Sequence, residues 1–187
     1  RLVYRKGIQI AVRVIPRICA KYPKAYFIVG GDGDLKLMML EMIEQYRLFD
    51  RVEMLGAVKH SNVASVLTRG HIFLNCSLTE SFCIAILEAA CCGLHVVSTN
   101  VGGVPEVLPP NDVTYATVAT PDAVEHALDT VMRRVRNLPS PMEVHHRIRG
   151  CYSWHSVARR TSKVYDRVSA TPVLGVRSRL SKYWNAM

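Results

Sequence analysis

One stretch decides the fold: HIFLNCSLTESFCIAILEAA, which runs from His71 to Ala90. Its first five residues are apolar and β-rich, and they predict a strand that ends at Asn75. A polar loop follows, and the apolar run that begins near Ser81 has the spacing of a helix. Glu80 stands just before this run, and Glu88 lies inside it. A strand, a loop and a helix in this order form one unit of an α/β fold.

Strand-like and helix-like stretches alternate along the rest of the chain. The predicted strands are residues 1–4 (the end of a strand), 25–29, 51–56, 71–75 and 94–98. The predicted helices are residues 8–19, 35–46, 61–68, 81–90, 121–137 and 154–168, with Ser61 and Ser153 as candidate N-caps and Pro139 and Pro141 as a linker. This alternation predicts an α/β fold with a Rossmann-like parallel sheet and helices on both faces.

The composition indicates a globular domain with a basic surface. The 187 residues are 49% hydrophobic and 21% charged, with a formal net charge of +9. The basic residues are scattered without an aromatic-and-basic motif, so we expect no nucleic-acid partner. The six cysteines form no C-x-x-C pair, which argues against zinc and favours a reducing compartment. No apolar run approaches the roughly 18 residues of a membrane span.

Ligands of parallel α/β sheets bind beyond the carboxyl ends of the strands. Glycines and charged residues collect in the loops at those ends, which are residues 5–7, 30–33, 57–59, 77–82 and 100–103. These loops therefore hold the candidate site.

The two glutamates suggest what the site binds. A helix that begins near Ser81 would direct the backbone amides of Ser81, Phe82 and Cys83 at a phosphate group. At 1.5 Å per residue, Glu80 and Glu88 are separated by roughly 12 Å, which is about the length from a sugar across a diphosphate to a ribose. Alternatively, Glu80 only complements the helix dipole and Glu88 is solvent-exposed.

Two cations lie near one predicted turn. Arg1 and Lys6 together would neutralise a diphosphate, because Arg offers a fork of donors and Lys a compact charge. Ordinary surface charge is the alternative, since the chain has 24 lysines and arginines.

The motif GGDGD at 30–34 has two interpretations. Asp32 and Asp34 would hold a divalent metal on a diphosphate, or the motif forms a tight turn in which Asp34 caps the next helix. We favour the turn. Gly102 and Gly103 fit either a backbone pressed close to a ligand or a tight turn.

Four motifs in this order carry a resemblance to a known family: RLVYRKG at 1–7, GGDGD at 30–34, TESFCIAILEA at 79–89 and VGGVPEV at 101–107. They resemble the donor-binding half of retaining glycosyltransferases with the two-domain GT-B architecture. Residues 71–109 and 152–168 resemble, more narrowly, the catalytic-subunit family of phosphatidylinositol N-acetylglucosaminyltransferases. The resemblance covers about residues 1–169.

The resemblance implies transfer of N-acetylglucosamine from UDP-N-acetylglucosamine to phosphatidylinositol, with retention, as the first step of GPI-anchor synthesis. It also implies other subunits of one complex, at the cytoplasmic face of the endoplasmic reticulum membrane. Arg1 and Lys6 would stabilise the leaving UDP, so no metal cofactor is expected. The implied catalytic residues are Arg1, Lys6 and Glu80. The implied donor-binding residues are Gly31, Val58 (by the uracil), Glu80 (on the sugar hydroxyls), Ser81, Phe82, Cys83, Glu88 (on the ribose), Gly102 and Gly103.

The sequence also departs from the family. The chain does not begin with Met, and the acceptor-side domain of a GT-B enzyme would lie before Arg1. The family's membrane span near the C-terminus is also missing. We therefore expect residues 1–169 to be a donor-binding domain that is inactive alone, and residues 170–187 to be a divergent, basic, disordered tail. The alternative is a non-catalytic role, in which the chain is a binding or regulatory partner in the same complex.

Overall fold

A computed structural model describes residues 1–172 and 175–184. The chain divides into two compact units, Arg1–Arg149 and Gly150–Met187. The described strands are β1 (Phe27–Gly30), β2 (Val52–Gly56), β3 (Ile72–Asn75), β4 (His95–Thr99) and β5 (Val113–Ala116). The described α-helices are α1 (Ile8–Lys21), α2 (Lys36–Gln45), α3 (Val63–Leu67), α4 (Ile84–Cys91), α5 (Pro121–Arg133), α6 (Pro141–Cys151), α7 (Trp154–Ala170) and α8 (Val176–Trp184).

Every strand pairing in the described part of the chain is parallel. β1 pairs with β2, while β3, β4 and β5 pair in that order. Helix α1 packs against α2 and α5, and α5 also packs against β4 and β5. Helix α4 packs against β3, β4 and α3. The predicted α/β fold with a Rossmann-like parallel sheet is confirmed, and its parallel strands direct their carboxyl ends to a common edge.

The core lies where α1 and α5 meet the sheet. Val14, Ile15 and Ile18 recur at helical spacing on α1 and are fully buried. They belong to the same core cluster as Val124 and Val131 of α5. Burial of each such side chain stabilises the fold by about 1.5–3 kcal/mol. The interface of α1 and α5 with the sheet therefore contributes much of the stability of the first unit.

The chain start differs from the predicted strand end. Residues 4–6 form a single 3₁₀ turn, Tyr4–Lys6. The amide of Leu2 donates to the carbonyl of Asp32 at 2.9 Å, and the carbonyl of Leu2 accepts from Leu35 at 3.0 Å. These hydrogen bonds tie the chain start to the loop after β1 and hold it outside both sheets.

Helix α4 begins at Ile84, three residues later than predicted. Its N-cap, Cys83, has a φ of 64°, a left-handed conformation that a helix cannot continue through. Ser81, Phe82 and Cys83 therefore form the loop before the helix, and their amides do not belong to its first turn.

The predicted linker is confined to residues 138–140, which include Pro139, because Pro141 is the first residue of α6. Ser140 and Glu143 cap this helix reciprocally. The Ser140 amide donates to Glu143 Oε2 at 2.7 Å, and the Glu143 amide lies 3.3 Å from Ser140 Oγ. The sequence SPME thus carried a capping-box signal for this helix.

The second unit contains α7 and α8. Ser153 caps α7, as predicted, because its hydroxyl accepts from the Ser156 amide at 3.1 Å. Helix α8 lies in the segment predicted as a disordered tail. The disorder of that tail and the domain boundary at residue 169 stay predictions. Among residues 1–172 and 175–184, no helix combines the length and the hydropathy that crossing a bilayer requires.

Candidate functional site

The chain start and the loop after β3 are tied together by their backbones. The amide of Leu78 donates to the carbonyl of Arg5 at 2.8 Å. Gly7, with a φ of 67°, packs so closely that a Cβ there would lie 1.8 Å from the carbonyl oxygen of Cys76. No larger residue fits this position. This contact brings Lys6, which precedes Gly7, beside the loop that carries Glu80.

Lys6 and Glu80 form an ion pair between Nζ and Oε1 across 74 residues of sequence. The two side chains are 24% and 10% exposed. Ser77 Oγ lies 3.0 Å from the same carboxylate oxygen. Burial acts to raise the pKa of Glu80, but the hydrogen bond and charge of Lys6, together with Ser77, outweigh it and leave that pKa below its usual value. Glu80 is therefore an anion at neutral pH, positioned as a hydrogen-bond acceptor.

A buried network of polar side chains holds the loop that carries Glu80. Asn75 Nδ2 donates to Ser98 Oγ at 2.9 Å, and Thr99 Oγ1 donates to the carbonyl of Ser77 at 2.6 Å. Ser77 Oγ also lies 2.8 Å from Asn75 Oδ1. These residues end β3 and β4, so the network fixes the loop to the sheet. The sequence analysis assigned no role to Asn75, Ser98 and Thr99. The signal that pointed to such a network was the presence of small polar residues at the ends of two apolar strands.

Gly102 and Gly103 pack against the same loop. A Cβ on Gly102 would lie 2.0 Å from the carbonyl oxygen of Glu80, and one on Gly103 would lie 2.0 Å from that of Ser81. The Gly103 amide donates to the Glu80 carbonyl at 3.0 Å. The sequence suggested that Gly102 and Gly103 lie in close backbone contact with a neighbour, and that neighbour is the loop that carries Glu80. A direct contact of either glycine with a donor stays a prediction.

Several predicted residues line one cavity of about 1320 Å³. They are Arg1, Lys6, Gly31, Val58, Cys83 and Glu88. Glu80 is connected to this cavity through its ion pair with Lys6. Ser81 and Phe82 lie on the adjoining loop, and Phe82 is 38% exposed. The structure thus brings the catalytic and donor-binding predictions into one region, while the role of each residue stays a prediction.

Glu88 and Val58 both line this cavity. Glu88 lies one helical turn after the start of α4, with a side chain that is 31% exposed. Its Oε1 is 3.9 Å from Nδ1 of His60, a neighbour that the sequence did not suggest. Val58 packs against Gly30, where a Cβ would lie 3.2 Å from a Val58 methyl carbon. A flat ring beside Val58 and a diol beside Glu88 are compatible with this arrangement.

The motif GGDGD forms the turn that we favoured. Asp32 Oδ1 accepts from the Gly33 amide at 2.8 Å, and Oδ2 lies 3.1 Å from Lys36 Nζ. The Gly33 hydrogen bond, followed by Lys36, lowers the pKa of Asp32. Asp34 is not the predicted cap, because α2 begins after Leu35. Both oxygens of Asp32 are thus used within its own turn.

The site combines cations with anionic acceptors at the edge of a parallel sheet. Arg1 and Lys6 supply positive charge, and Arg5 adds to the field at Glu80. Burial raises the pKa of the Cys83 thiol, so this cysteine stays neutral at physiological pH. Lysine and arginine side chains are common phosphate ligands, and carboxylates accept hydrogen bonds from hydroxyl groups.

The chain matches the family Glycosyl transferases group 1 over residues 1–143, and it belongs to that family. It is 48% identical over 184 residues to a phosphatidylinositol N-acetylglucosaminyltransferase subunit of Homo sapiens, and 51% identical over 183 residues to the identically named protein of Arabidopsis thaliana. The narrower resemblance seen in the sequence is thereby confirmed.

The matches cover most of this chain and less than half of each relative. They include 97% and 98% of the chain, but the chain spans only 38% and 40% of the human and Arabidopsis proteins. Coverage of 97% leaves about six of the 187 residues outside the human match, so that match extends into the 18 residues of segment 170–187.

Solved glycosyltransferase structures share the fold. A complex of Anabaena HepE with UDP aligns with a TM-score of 0.76 at 17% identity, over 89% of this chain and 47% of that one. The pneumococcal O-GlcNAc transferase GtfA, in complex with UDP and GlcNAc, aligns with a TM-score of 0.73 at 16% identity, over 91% of this chain and 35% of that one.

Proposed function

We propose that this chain carries the UDP-N-acetylglucosamine site of an enzyme that transfers N-acetylglucosamine to phosphatidylinositol. The observation that carries the proposal is the ion pair of Lys6 with Glu80 beside a cavity that both Lys6 and Glu88 line. The names of the human and Arabidopsis relatives supply the reaction.

The proposed roles follow from charge and position. Lys6 and Arg1 neutralise the diphosphate and stabilise the negative charge that develops on the leaving UDP. Glu80 accepts hydrogen bonds from sugar hydroxyls, and Glu88 does so from the ribose. Lys6 and Arg1 neutralise the charge that a divalent ion would otherwise neutralise. We therefore propose that binding of the donor is independent of metal.

The proposal also covers the partner subunits and the membrane at which the enzyme acts. The relatives are named as subunits, which supports assembly into a multi-subunit transferase. We extend the proposal to the cytoplasmic face of the endoplasmic reticulum membrane, in line with the sequence resemblance. The chain spans two fifths of its relatives, so we propose donor binding by this chain and transfer only with the acceptor-side domain.

Calorimetric titration of UDP and UDP-N-acetylglucosamine, with and without Mg²⁺, tests the proposal. We expect binding that Mg²⁺ and EDTA leave unchanged, and that Lys6→Ala and Glu88→Ala each weaken about tenfold or more, because each removes a charge-assisted hydrogen bond. The matched controls are Lys163→Ala on α7 and Glu41→Ala on α2, which remove the same charges from exposed positions.

Two results would contradict the proposal. The first is equal weakening by the control variants, which would indicate a nonspecific charge effect. The second is the absence of binding by a chain whose circular dichroism shows the folded state. A chain that transferred the sugar without other subunits would contradict the narrower statement that it is inactive alone.

A further inference from the structure

Ser77 is a fully buried serine that lies between two acceptors in the loop after β3. Its Oγ is 2.8 Å from Asn75 Oδ1 and 3.0 Å from Glu80 Oε1. An amide oxygen and an ionised carboxylate oxygen only accept hydrogen bonds, and a hydroxyl group has a single hydrogen to donate. Ser77 therefore donates to one of these two oxygens at a time.

The neighbours of Asn75 fix which end of its side-chain amide faces Ser77. Ser98 Oγ donates its hydrogen to the carbonyl of Thr99 at 2.9 Å, so it accepts from Asn75 Nδ2, which is also 2.9 Å away. The amide oxygen of Asn75 therefore points to Ser77. Among the residues that the structure describes, no other donor reaches this buried oxygen. Asn75 Oδ1 consequently depends on Ser77 for its hydrogen bond.

The carboxylate of Glu80 has more donors than the amide oxygen of Asn75. Lys6 Nζ pairs with Oε1 of Glu80, the same oxygen that Ser77 reaches. A side-chain hydrogen bond also links Cys83 to Glu80, although a thiol is a weak donor. While Lys6 holds Glu80, donation by Ser77 to Asn75 leaves neither acceptor unpaired. In the free chain, the hydrogen of Ser77 is therefore best placed on Asn75.

A change of partner at Lys6 reverses this balance. In the proposed function, Lys6 binds the diphosphate of the donor, and Glu80 then loses its charged hydrogen-bond donor. Hydrogen bonds to an ionised group are roughly twice as strong as those between neutral groups. The hydrogen of Ser77 therefore gains more on Glu80 than on Asn75 once Lys6 has left. Rotation about the Cβ–Oγ bond is sufficient for the exchange, because both acceptors already lie within 3.0 Å.

We propose that Ser77 is a positioning residue whose single hydrogen passes from Asn75 to Glu80 when Lys6 leaves Glu80. The exchange keeps the Glu80 carboxylate in one orientation while it receives the sugar hydroxyls of the donor. The Ser77 hydroxyl does not touch the donor and acts only through Glu80. Its role in the transferase rests on the proposed function, whereas the exchange itself is a property of the chain without a nucleotide.

The carboxyl carbon of Glu80 reports the exchange without any nucleotide. Its NMR chemical shift is followed against pH in four proteins: the unmodified chain, Ser77→Ala, Lys6→Ala and the double variant. Arg5 and Cys83, which also act on Glu80, are the same in all four. We expect Ser77→Ala to raise the pKa of Glu80 by a larger amount in the Lys6→Ala background than in the unmodified chain, because only there does Glu80 receive the hydrogen.

Two results of this titration would overturn the proposal. An equal rise of the pKa in both backgrounds would mean that Ser77 acts on Glu80 whether or not Lys6 is present. No rise in either background would mean that the hydrogen stays on Asn75. Ser77→Thr, which retains the hydroxyl group, should leave the pKa of Glu80 in the Lys6→Ala background unchanged. Alanine is smaller than serine, so the four proteins test the exchange even where threonine is too large for the site.

Calorimetry then tests the positioning role. The matched control is Thr114→Ala, which removes a hydroxyl that lies 2.9 Å from His95 Nε2 and 3.3 Å from Arg134 Nη2. We expect about tenfold weaker binding of UDP-N-acetylglucosamine by Ser77→Ala, a smaller loss for UDP, which brings no sugar hydroxyls, and less than a twofold change in the control. Equal weakening of both ligands by Ser77→Ala would contradict the positioning role. The expected titration without any nucleotide binding would support the exchange and contradict the proposed function.

Discussion

Two ion pairs of the first unit join distant segments, and they differ in what surrounds the carboxylate. Asp112, whose side chain has no exposed surface, receives two hydrogen bonds from Arg147, at 2.8 and 2.5 Å. Glu80 receives one from Lys6, and both of these side chains keep some exposure. The first pair is bidentate and its carboxylate is fully buried, although the Arg147 side chain is 36% exposed, whereas Lys6 of the second pair lines a cavity. The comparison teaches that the Asp112 pair holds the fold and the Glu80 pair remains able to exchange its partner for a ligand.

The neighbourhood of Asp112 supports this distinction. His95 lies on the fully buried strand β4, with Nε2 at 2.9 Å from Thr114 Oγ1. Burial, and then the charge of Arg134, lower the pKa of His95 to about 4, against an opposing effect of Asp112. His95 is thus neutral at physiological pH, whereas Asp112 is ion-paired with Arg147.

The largest effect is expected for Asp112→Ala, which leaves the Arg147 guanidinium without its bidentate partner. We expect the free energy of unfolding in urea to fall by about 3–5 kcal/mol, because the change removes two hydrogen bonds between charged groups, at about 1.5–3 kcal/mol each. The affinity of the folded protein for UDP-N-acetylglucosamine should not change. The matched control is Asp122→Ala, whose side chain is 85% exposed and pairs with Arg17 at 2.6 Å. It should cost less than about 1 kcal/mol. Equal losses in the two variants would remove the distinction between the pairs.

The second effect concerns the rigidity of the Glu80 loop. Gly102→Ala adds a Cβ that would lie 2.0 Å from the Glu80 carbonyl oxygen, at a φ of 53°. We expect a loss of about 3 kcal/mol in urea denaturation, from strain and from displacement of the loop. Gly56→Ala is the control, because Gly56 has a φ of 67° with no atom within 4 Å. The control should lose only about 1 kcal/mol. A loss no larger at Gly102 than at Gly56 would mean that the loop moves freely.

Parts of this architecture were predictable because they depend on local patterns. The strand and helix around Asn75 and Glu88 follow from apolar spacing, and the loops of interest follow from the rule for parallel sheets. Helix α6 was also readable from Ser140 and Glu143, but the two prolines suggested a linker. Strand β5 was not predicted, although its four residues equal β1 and β3 in length.

Other features depend on contacts between distant residues, which local patterns do not encode. The start of α4 is delayed because Cys83 adopts a left-handed conformation. The close fit of Gly102 to Glu80 joins two loops, and only the folded sheet brings them together. The supporting network of Asn75 and Ser98 likewise needs β3 beside β4.

The smallest effect on stability, and the sharpest on binding, is expected for Glu80→Gln. The glutamine side-chain oxygen can still accept from Lys6 and Ser77, so only the charge is lost and the free energy of unfolding should fall by about 1 kcal/mol. The neutral amide is a weaker acceptor for sugar hydroxyls, and we expect about tenfold weaker binding of UDP-N-acetylglucosamine. Binding of UDP, which has no sugar beyond the diphosphate, should be unchanged or stronger, because Lys6 is released to the phosphates. Calorimetry with both ligands separates these effects, and Glu41→Gln on α2 is the control. Equal weakening of both ligands would show that Glu80 acts only through Lys6, and a stability loss as large as that of Asp112→Ala would make the two pairs alike.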